Sequence, residues 1–555
     1  MISLLIDLFI SSIFLIGSGY HLLRFSGIKK KINNYETGLF GLIFLGILSL
    51  IVNFFVPLSK NINTIICLII IISFFFQNRS DFRNLKKIII SSSKVTFVAF
   101  VFISFSKNFN PDSFLYHLPY TNLINDYKIL PGSTLLHFRF GHTSIMQYVN
   151  AVFNNQILGI NGITIPISLI FSFFFIFLLE EILKILKIKS SLDLYNFYII
   201  LAFIFLCLRM NRYSDYGNDH PSTIFFIYFI SIFIKNFNHF DLDVKKYLSI
   251  FASFIFTLKV FYFIPLILCA YLWLSKVNLK IFNVANNISV FLLVFWFLKN
   301  ILVSGCVIYP VSFTCINNLP WYDLSKNYFI NANQISLESE AWAKNWNTHR
   351  KKETNLNKDI NKNNSQKKYI KNFVWLQEWS NNHGKQIIKK IAPFLILVLI
   401  LFLISRKEIK ISKFKNIKLF IFLFSINLFG LTLWFLKFPI MRYGLAYIFI
   451  QIFLISFIFF RNKYLTNIKF ILIFCLLILT SKNLLRIYNN FDYKPYPEIK
   501  NKSEYFKTKK NDLNIFYTKK GTCGYNKSPC TNYRRNIKNI DIKNYLSYKY
   551  ISLKD

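Results

Sequence analysis

Acidic side chains are scarce in this sequence: 25 Asp and Glu stand against 66 Lys and Arg in 555 residues, and glycine contributes only 17. The cationic surplus, a formal net charge of +41, invites a nucleic-acid partner. No nucleic-acid signature accompanies it, and the cations lie scattered between apolar runs instead of gathering on one module. Nucleic acid is therefore set aside as a partner, and basic loops at membrane boundaries account for the charge. Also missing is the alternation of apolar and polar positions, over about ten residues, that marks a membrane-spanning strand; this counts against a β-barrel. No internal repeat is visible, which counts against a transporter built from inverted halves. Residues 1–5 contain no cation, the first being Arg24 after an apolar run that also holds Asp7, so no cleavable signal is expected.

What is present is apolar. Hydrophobic residues make up 54% of the chain and aromatics 19%, with a mean hydropathy of +0.40. Many apolar runs reach 17–22 residues, enough at about 1.5 Å per residue to cross a hydrocarbon core of roughly 30 Å. Backbone groups find no water there, so such runs form helices. The expected fold class is all-α, a polytopic membrane protein. Spans are read at residues 2–22, 38–57, 62–76, 88–105, 163–186, 194–210, 221–234, 284–303, 387–404, 419–436, 445–460 and 468–480. The positive-inside rule places the loops around Lys29, Lys86, Lys187, Lys245, Lys407 and Lys463 in the cytoplasm. The stretch 247–274 preserves this alternation only if Lys259 splits it into two half-spans, keeping Lys276 and Lys280 inside. The expectation is then about 14 crossings of a bacterial inner (cytoplasmic) membrane, with both termini periplasmic. Residues 1–481 form the transmembrane domain, with outer loops 106–161, 211–220 and 304–386, and residues 482–555 form a periplasmic C-terminal tail.

Four of the eight cysteines, Cys67, Cys207, Cys269 and Cys475, lie inside apolar runs as small hydrophobes. Cys306 with Cys315, and Cys523 with Cys530, stand at short spacing on the outer side, where disulfides suit an oxidising periplasm. Zinc is the alternative, disfavoured because no His lies near Cys523 or Cys530. The middle loop also holds Trp321, Trp342, Trp346, Trp375 and Trp379, read either as interfacial anchors or as sugar-stacking platforms.

With acids so few, those at the outer boundary carry information. Asp112 follows a span directly, in Asn110-Pro111-Asp112-Ser113-Phe114-Leu115-Tyr116-His117, and either caps the next helix or acts as a base. The second outer loop packs Arg212, Asp215, Asp219 and His220 between two spans, where charge is expensive. Asp215, Asp219 and His220 are oxygen and nitrogen donors at a spacing suited to a divalent cation such as Mg or Mn; capping or ion pairing is an equal alternative. Lys259 at its hairpin tip, and Arg442 with Tyr443 at the head of a late span, are flanked by apolar residues. They suit a lipid phosphate, or plain headgroup contact.

This layout resembles the GT-C superfamily of membrane glycosyltransferases. An acidic residue opens the first outer loop, acidic and basic residues fill the second, and Pro439-Ile440-Met441-Arg442-Tyr443 leads a late span. The segments around Asp112 to His117, Gly217-Asn218-Asp219-His220 and Ser304-Gly305-Cys306-Val307-Ile308-Tyr309-Pro310 are similar to a bacterial multi-pass family related to it, over about 440 residues. A single Asp stands here where some members carry Asp-x-Asp. The resemblance implies a GT-C-like helical bundle, a polyprenyl-phosphate sugar as donor, a glycan, lipid or protein as acceptor, and membrane lipids around them. It implies Asp112 as general base with His117 beside it, and Lys259, Arg442, Arg212 and Tyr443 against the lipid phosphate, in an inverting displacement. A polysaccharide polymerase or O-antigen-type ligase centred on His349, Arg350 and His383 is the alternative enzyme. A lipid-linked-sugar transporter is the alternative of another class.

Overall fold

The computed structural model describes the chain except residues 31, 80, 108–110, 188–192, 210–215, 275–280, 323–330, 348–361, 408–416, 461–462, 465–467, 500–502, 512, 520, 546–547 and 555. Every run read as a span carries a helix. Nine helices among the described residues are long and apolar enough to cross a membrane: Ile2–Ser26, Asn34–Phe55, Lys60–Asn78, Ile160–Lys187, Val284–Ser304, Trp375–Ile404, Ile417–Lys437, Met441–Phe460 and Ile468–Asn489. Leu194–Arg209 and Ile264–Leu274 are shorter apolar helices, and Phe82–Ile103, Asp219–Lys235 and Leu242–Leu258 occupy the remaining runs. These are the proportions of a helical membrane protein.

Local chemistry sets where helices start. The Asn33 side chain accepts from the backbone N–H of Glu36, whose carboxylate accepts from the N–H of Asn33, a reciprocal cap on Asn34–Phe55. Burial sorts the helices by position. In Ile160–Lys187, 94% of the apolar window is buried within the protein, against 22% in Lys60–Asn78 and in Ile468–Asn489. The first is therefore the centre of the bundle, and the other two turn most of their surface to lipid. The first two helices cross through glycines. A Cβ added at Gly19 would lie 1.8 Å from the Thr37 carbonyl oxygen, and one at Gly41 would lie 1.8 Å from that of Leu15. Backbone rests on backbone there, the small-residue contact that membrane helices use in place of a hydrophobic drive.

The stretch 247–274 divides at Lys259. Leu242–Leu258 ends with Lys259 in extended backbone (φ −157°, ψ 104°), and Ile264–Leu274 turns back to pack against it. Asn218 Nδ2 donates to the Leu258 carbonyl and the Tyr447 hydroxyl to that of Phe261, both at 2.6 Å. These bonds fix the hairpin tip beside the heads of Asp219–Lys235 and Met441–Phe460. At the other end of the same helices the basic loops meet. The N–H groups of Lys29 and Lys30 donate to Asp243 at 3.0 Å, Lys246 donates to the Gly27 carbonyl at 3.0 Å, and Glu181 pairs with Lys184 and Lys235. Lys276 and Lys280 lie outside the described residues.

The segment read as the first outer loop holds a folded cap of short, largely buried helices: Ser113–His117 with π geometry, Leu118–Asp126 and Ile145–Val152. The tail is laid upon it. Tyr505–Lys510 runs antiparallel to Leu513–Thr518, which pairs in parallel with Cys530–Thr531, and Ile540–Tyr545 forms a hairpin with Tyr548–Leu553. The Tyr525 hydroxyl donates to Asn125 Oδ1 and accepts from Asn154 Nδ2, both at 2.8 Å. Thr531 Oγ1 donates to the Leu136 carbonyl at 2.6 Å and Ile551 N–H to that of Pro131 at 3.0 Å. Disulfides join Cys306 to Cys315 and Cys523 to Cys530, while Cys67, Cys207, Cys269 and Cys475 are buried thiols. The second bridge closes a ring, with a sequence separation of 7, around Tyr525. The double change Cys523→Ser with Cys530→Ser should cost about 2–4 kcal/mol of tail stability and open the tail to limited proteolysis ahead of the helices. Cleavage at the native rate would show that the contacts of Tyr525 hold the tail without the bridge.

Candidate active site

Five charged side chains from distant parts of the chain converge on one cavity of about 600 Å³. Arg139 Nη1 donates to Asp112 Oδ1 at 2.5 Å, and Arg442 Nη1 donates to Asp112 Oδ2 at 2.8 Å. Lys259 Nζ donates to Asp219 Oδ1 at 2.7 Å and to the Arg442 carbonyl at 2.9 Å. Arg442 Nε lies 3.7 Å from Asp219 Oδ2, so this one guanidinium bridges the two carboxylates. The Tyr443 ring lines the same cations, 4.3 Å from Lys259 Nζ and 5.3 Å from Arg442 Cζ. Within the cluster three cations stand against two carboxylates, and Glu338 in the same lining brings the formal charges of the cavity into balance. An anion would bind here by exchanging with Asp112 or Asp219 for their cations.

Each member is placed by its local chain. Asp112 stands at the head of Ser113–His117 yet makes no capping bond; both its oxygens go to arginines. Asp219 opens its helix, held beside Lys259 by the Asn218 bond to Leu258. The approach to Arg442 is anchored by two indoles, as Trp379 Nε1 donates to the Pro439 carbonyl at 2.6 Å and Trp434 Nε1 to that of Ile440 at 2.8 Å.

Burial alone would raise the pKa of the Asp112 carboxyl, but Arg442 and Arg139 outweigh it and hold the group below its ordinary range. His117 behaves oppositely. Burial pushes it down to about 4 in spite of Asp112 and Asp219, and Gln147 Nε2 lies 2.6 Å from its Nδ1, which places the proton of the neutral ring on Nε2. Burial likewise pushes His137 down to about 3. These two histidines give the fold an acid limit. Their folded values lie below the ordinary 6.5, so the unfolded chain takes up protons first as pH falls. Their contribution to stability is whole above about pH 6.5 and is lost towards pH 4 and below. Melting temperature in nanodiscs should fall steadily over that range, and His137→Asn should make the profile shallower; a flat native profile would contradict neutral burial.

The family model described as "Domain of unknown function (DUF8201)" matches residues 1–449. The chain belongs to this family. No curated protein and no solved structure matches it. The DUF8201 match takes in every member of the charged cluster, from Asp112 to Arg442 and Tyr443, and stops before the tail.

Within this DUF8201 chain, four residues singled out from the sequence (Asp112, Asp219, Lys259 and Arg442) come together with Tyr443. His117 lies behind Asp112, and His220 follows Asp219 in the first turn of the same helix. Arg212 and Asp215 lie outside the described residues, as do His349 and Arg350. Of the five tryptophans, Trp342 and Trp346 line the cavity, with Arg442 Cζ 5.7 Å from the Trp342 ring. Trp321 and Trp379 donate to the carbonyls of Ile301 and Pro439, and Trp375 is fully buried. Sequence reading missed Arg139. Its setting, Phe138-Arg139-Phe140, is the same cation between apolar neighbours that marked Lys259 and Arg442. Asp112 and Asp219 are each already engaged by two cations, and among the described residues no group of three His, Cys, Asp or Glu could hold a metal. Asp215, the third donor read beside Asp219 and His220 for Mg or Mn, lies outside the described residues.

Proposed function

We propose that this DUF8201 protein is a membrane glycosyltransferase, moving a sugar from a polyprenyl-phosphate donor to an acceptor at the outer face of a bacterial inner membrane. The observation that carries this reading is the cluster itself. A buried carboxylate, Asp112, and three fixed cations share one cavity with the exposed ring of Trp342. Lys259 and Arg442 receive the donor phosphate, whose charge grows as the bond to the anomeric carbon breaks. As Arg442 turns to that phosphate it releases Asp112 Oδ2, which takes the proton of the acceptor hydroxyl. The acceptor oxygen bonds to the anomeric carbon from the face opposite the departing phosphate, which inverts that centre and leaves a polyprenyl phosphate. The base is thus released by the arrival of the donor.

The topology that supports this reading has about 14 crossings and periplasmic termini, with the basic loops gathered at one end of the helices and the cluster at the other. The two disulfides, both in segments read as outer, suit an oxidising periplasm. The polymerase or ligase alternative has less support, because His383 is not among the described residues lining the cavity.

Asp112→Asn in the host tests the proposal, with surface glycans and lipid-linked sugars followed by mass spectrometry. Transfer should fall about 10²–10⁴-fold at unchanged protein level. An unaltered glycan profile, when deletion of the whole gene does alter it, removes Asp112 from the mechanism.

A further inference from the structure

Three histidines belong to the cap, and the fold uses two of them. His117 and His137 are 4% and 1% exposed, and each commits Nδ1 to the protein. Gln147 Nε2 lies 2.6 Å from that of His117, and the backbone N–H of Arg139 donates to that of His137 at 3.2 Å. His142 differs. It is exposed and lines the cavity of the charged cluster, and among the described residues it is the only histidine that does so. Its ring meets Tyr309 edge-on, with centroids 5.2 Å apart, and no described side chain or carbonyl takes either of its nitrogens. A histidine kept for packing would be closed off as the other two are.

Local geometry sets this imidazole beside the cluster. Phe138–His142 is a 3-10 turn, in which side chains three positions apart eclipse. His142 therefore shares a face with Arg139, and both line the cavity. The ion pairs form a row, from Arg139 to Asp112, to Arg442, to Asp219 and on to Lys259. His142 adjoins the Arg139 end of that row, and Lys259 is the other end. An imidazole ordinarily ionises near pH 6.5 (about the value in a free peptide). Above it the ring offers one N–H and one lone pair, the complement of a hydroxyl group, which also donates and accepts. A phosphate only accepts, and the cations serve it better.

Resting on the glycosyltransferase reading, we propose that His142 is an acceptor-binding residue, its imidazole holding a hydroxyl of the acceptor beside Asp112 while Lys259 and Arg442 hold the donor phosphate. The full-length protein in nanodiscs is treated above neutral pH with diethyl pyrocarbonate, which modifies open, uncharged imidazoles, and mass spectrometry ranks the histidines. His142 should react as fast as the exposed His239 and far ahead of the buried His117 and His137. A short-chain prenyl phosphate, the probe of the donor end, should leave that rate unchanged. In the host, His142→Phe keeps a ring against Tyr309 and removes the hydrogen bond. Glycan transfer should then fall about three- to ten-fold, with lipid-linked sugar accumulating. His142→Gln, which keeps a donor and an acceptor, should restore most of the transfer, and melting curves check that both variants fold. The assignment is overturned if His142 reacts as slowly as His117 or if prenyl phosphate shields it. It is equally overturned if His142→Phe transfers like the native protein, or if His142→Gln is as impaired as His142→Phe. The footprint needs no turnover. An unaltered glycan profile in Asp112→Asn fails the transferase reading, whereas normal transfer by His142→Phe beside a defective Asp112→Asn fails this assignment alone.

Discussion

Arg442→Met should reduce glycan transfer by about 10²–10³-fold, while Arg442→Lys should restore little of it. The reason is the double engagement of this side chain. Nη1 donates to Asp112 at 2.8 Å while Nε stands 3.7 Å from Asp219. A lysine offers one point charge and cannot face two carboxylates with separate N–H groups. Without Arg442, Asp112 keeps Arg139 and Asp219 keeps Lys259, so the fold survives with a stability loss of roughly 1–3 kcal/mol, moderated because the guanidinium is partly open to the cavity. Product analysis by mass spectrometry beside a melting curve separates the two effects. A variant that melts early but still transfers would make Arg442 structural. The pH profile carries further information. With one cation gone, burial acts on Asp112 with less opposition, so its carboxyl should ionise at higher pH and residual activity should fall off earlier on the acid side.

A larger effect on folding is expected where the first two helices cross. Gly41→Val should abolish accumulation of folded protein, and even Gly41→Ala should cost about 3 kcal/mol or more. The atom in the way is the Leu15 carbonyl at 1.8 Å, a backbone atom that moves only if the helix moves. Gly46→Ala is the control. Its nearest neighbour is a ring carbon of Phe254 at 2.9 Å, a side chain that can give way, and about 1 kcal/mol should suffice. Size-exclusion chromatography and melting of solubilised protein rank the three variants. Equal behaviour of Gly41→Ala and Gly46→Ala would mean that this crossing is looser than the backbone contact requires.

The helices were legible because burying an apolar run of this length leaves few choices, and the break at Lys259 because a cation within such a run needs a reason. Helix ends were less legible. Ile468–Asn489 runs past the span read at 468–480, since beyond the polar break Ser481-Lys482-Asn483 its last turns still gain helical hydrogen bonds and Arg486 donates to the Val101 and Phe102 carbonyls. The site could be read only as scattered charges. Asp112, Asp219, Lys259 and Arg442 each had a bland alternative, and what joins them is tertiary: Arg442 lies 330 positions from Asp112. Arg139 escaped notice because no spacing rule links it to Asp112 across an irregular cap. The docking of the tail was equally hidden, for the contact of Tyr525 with Asn125 spans 400 positions, and two small sheets carry no sign of their partner.

That last contact has a consequence for how the molecule is made. Asn125 leaves the ribosome 400 positions ahead of the tyrosine that holds it. The cap therefore waits for every intervening helix before the bonds that fix it can form. Such long-range closure is slow and leaves the intermediate exposed. A chain cut short ahead of Tyr525 would keep its helices yet lack the contacts that close the cap.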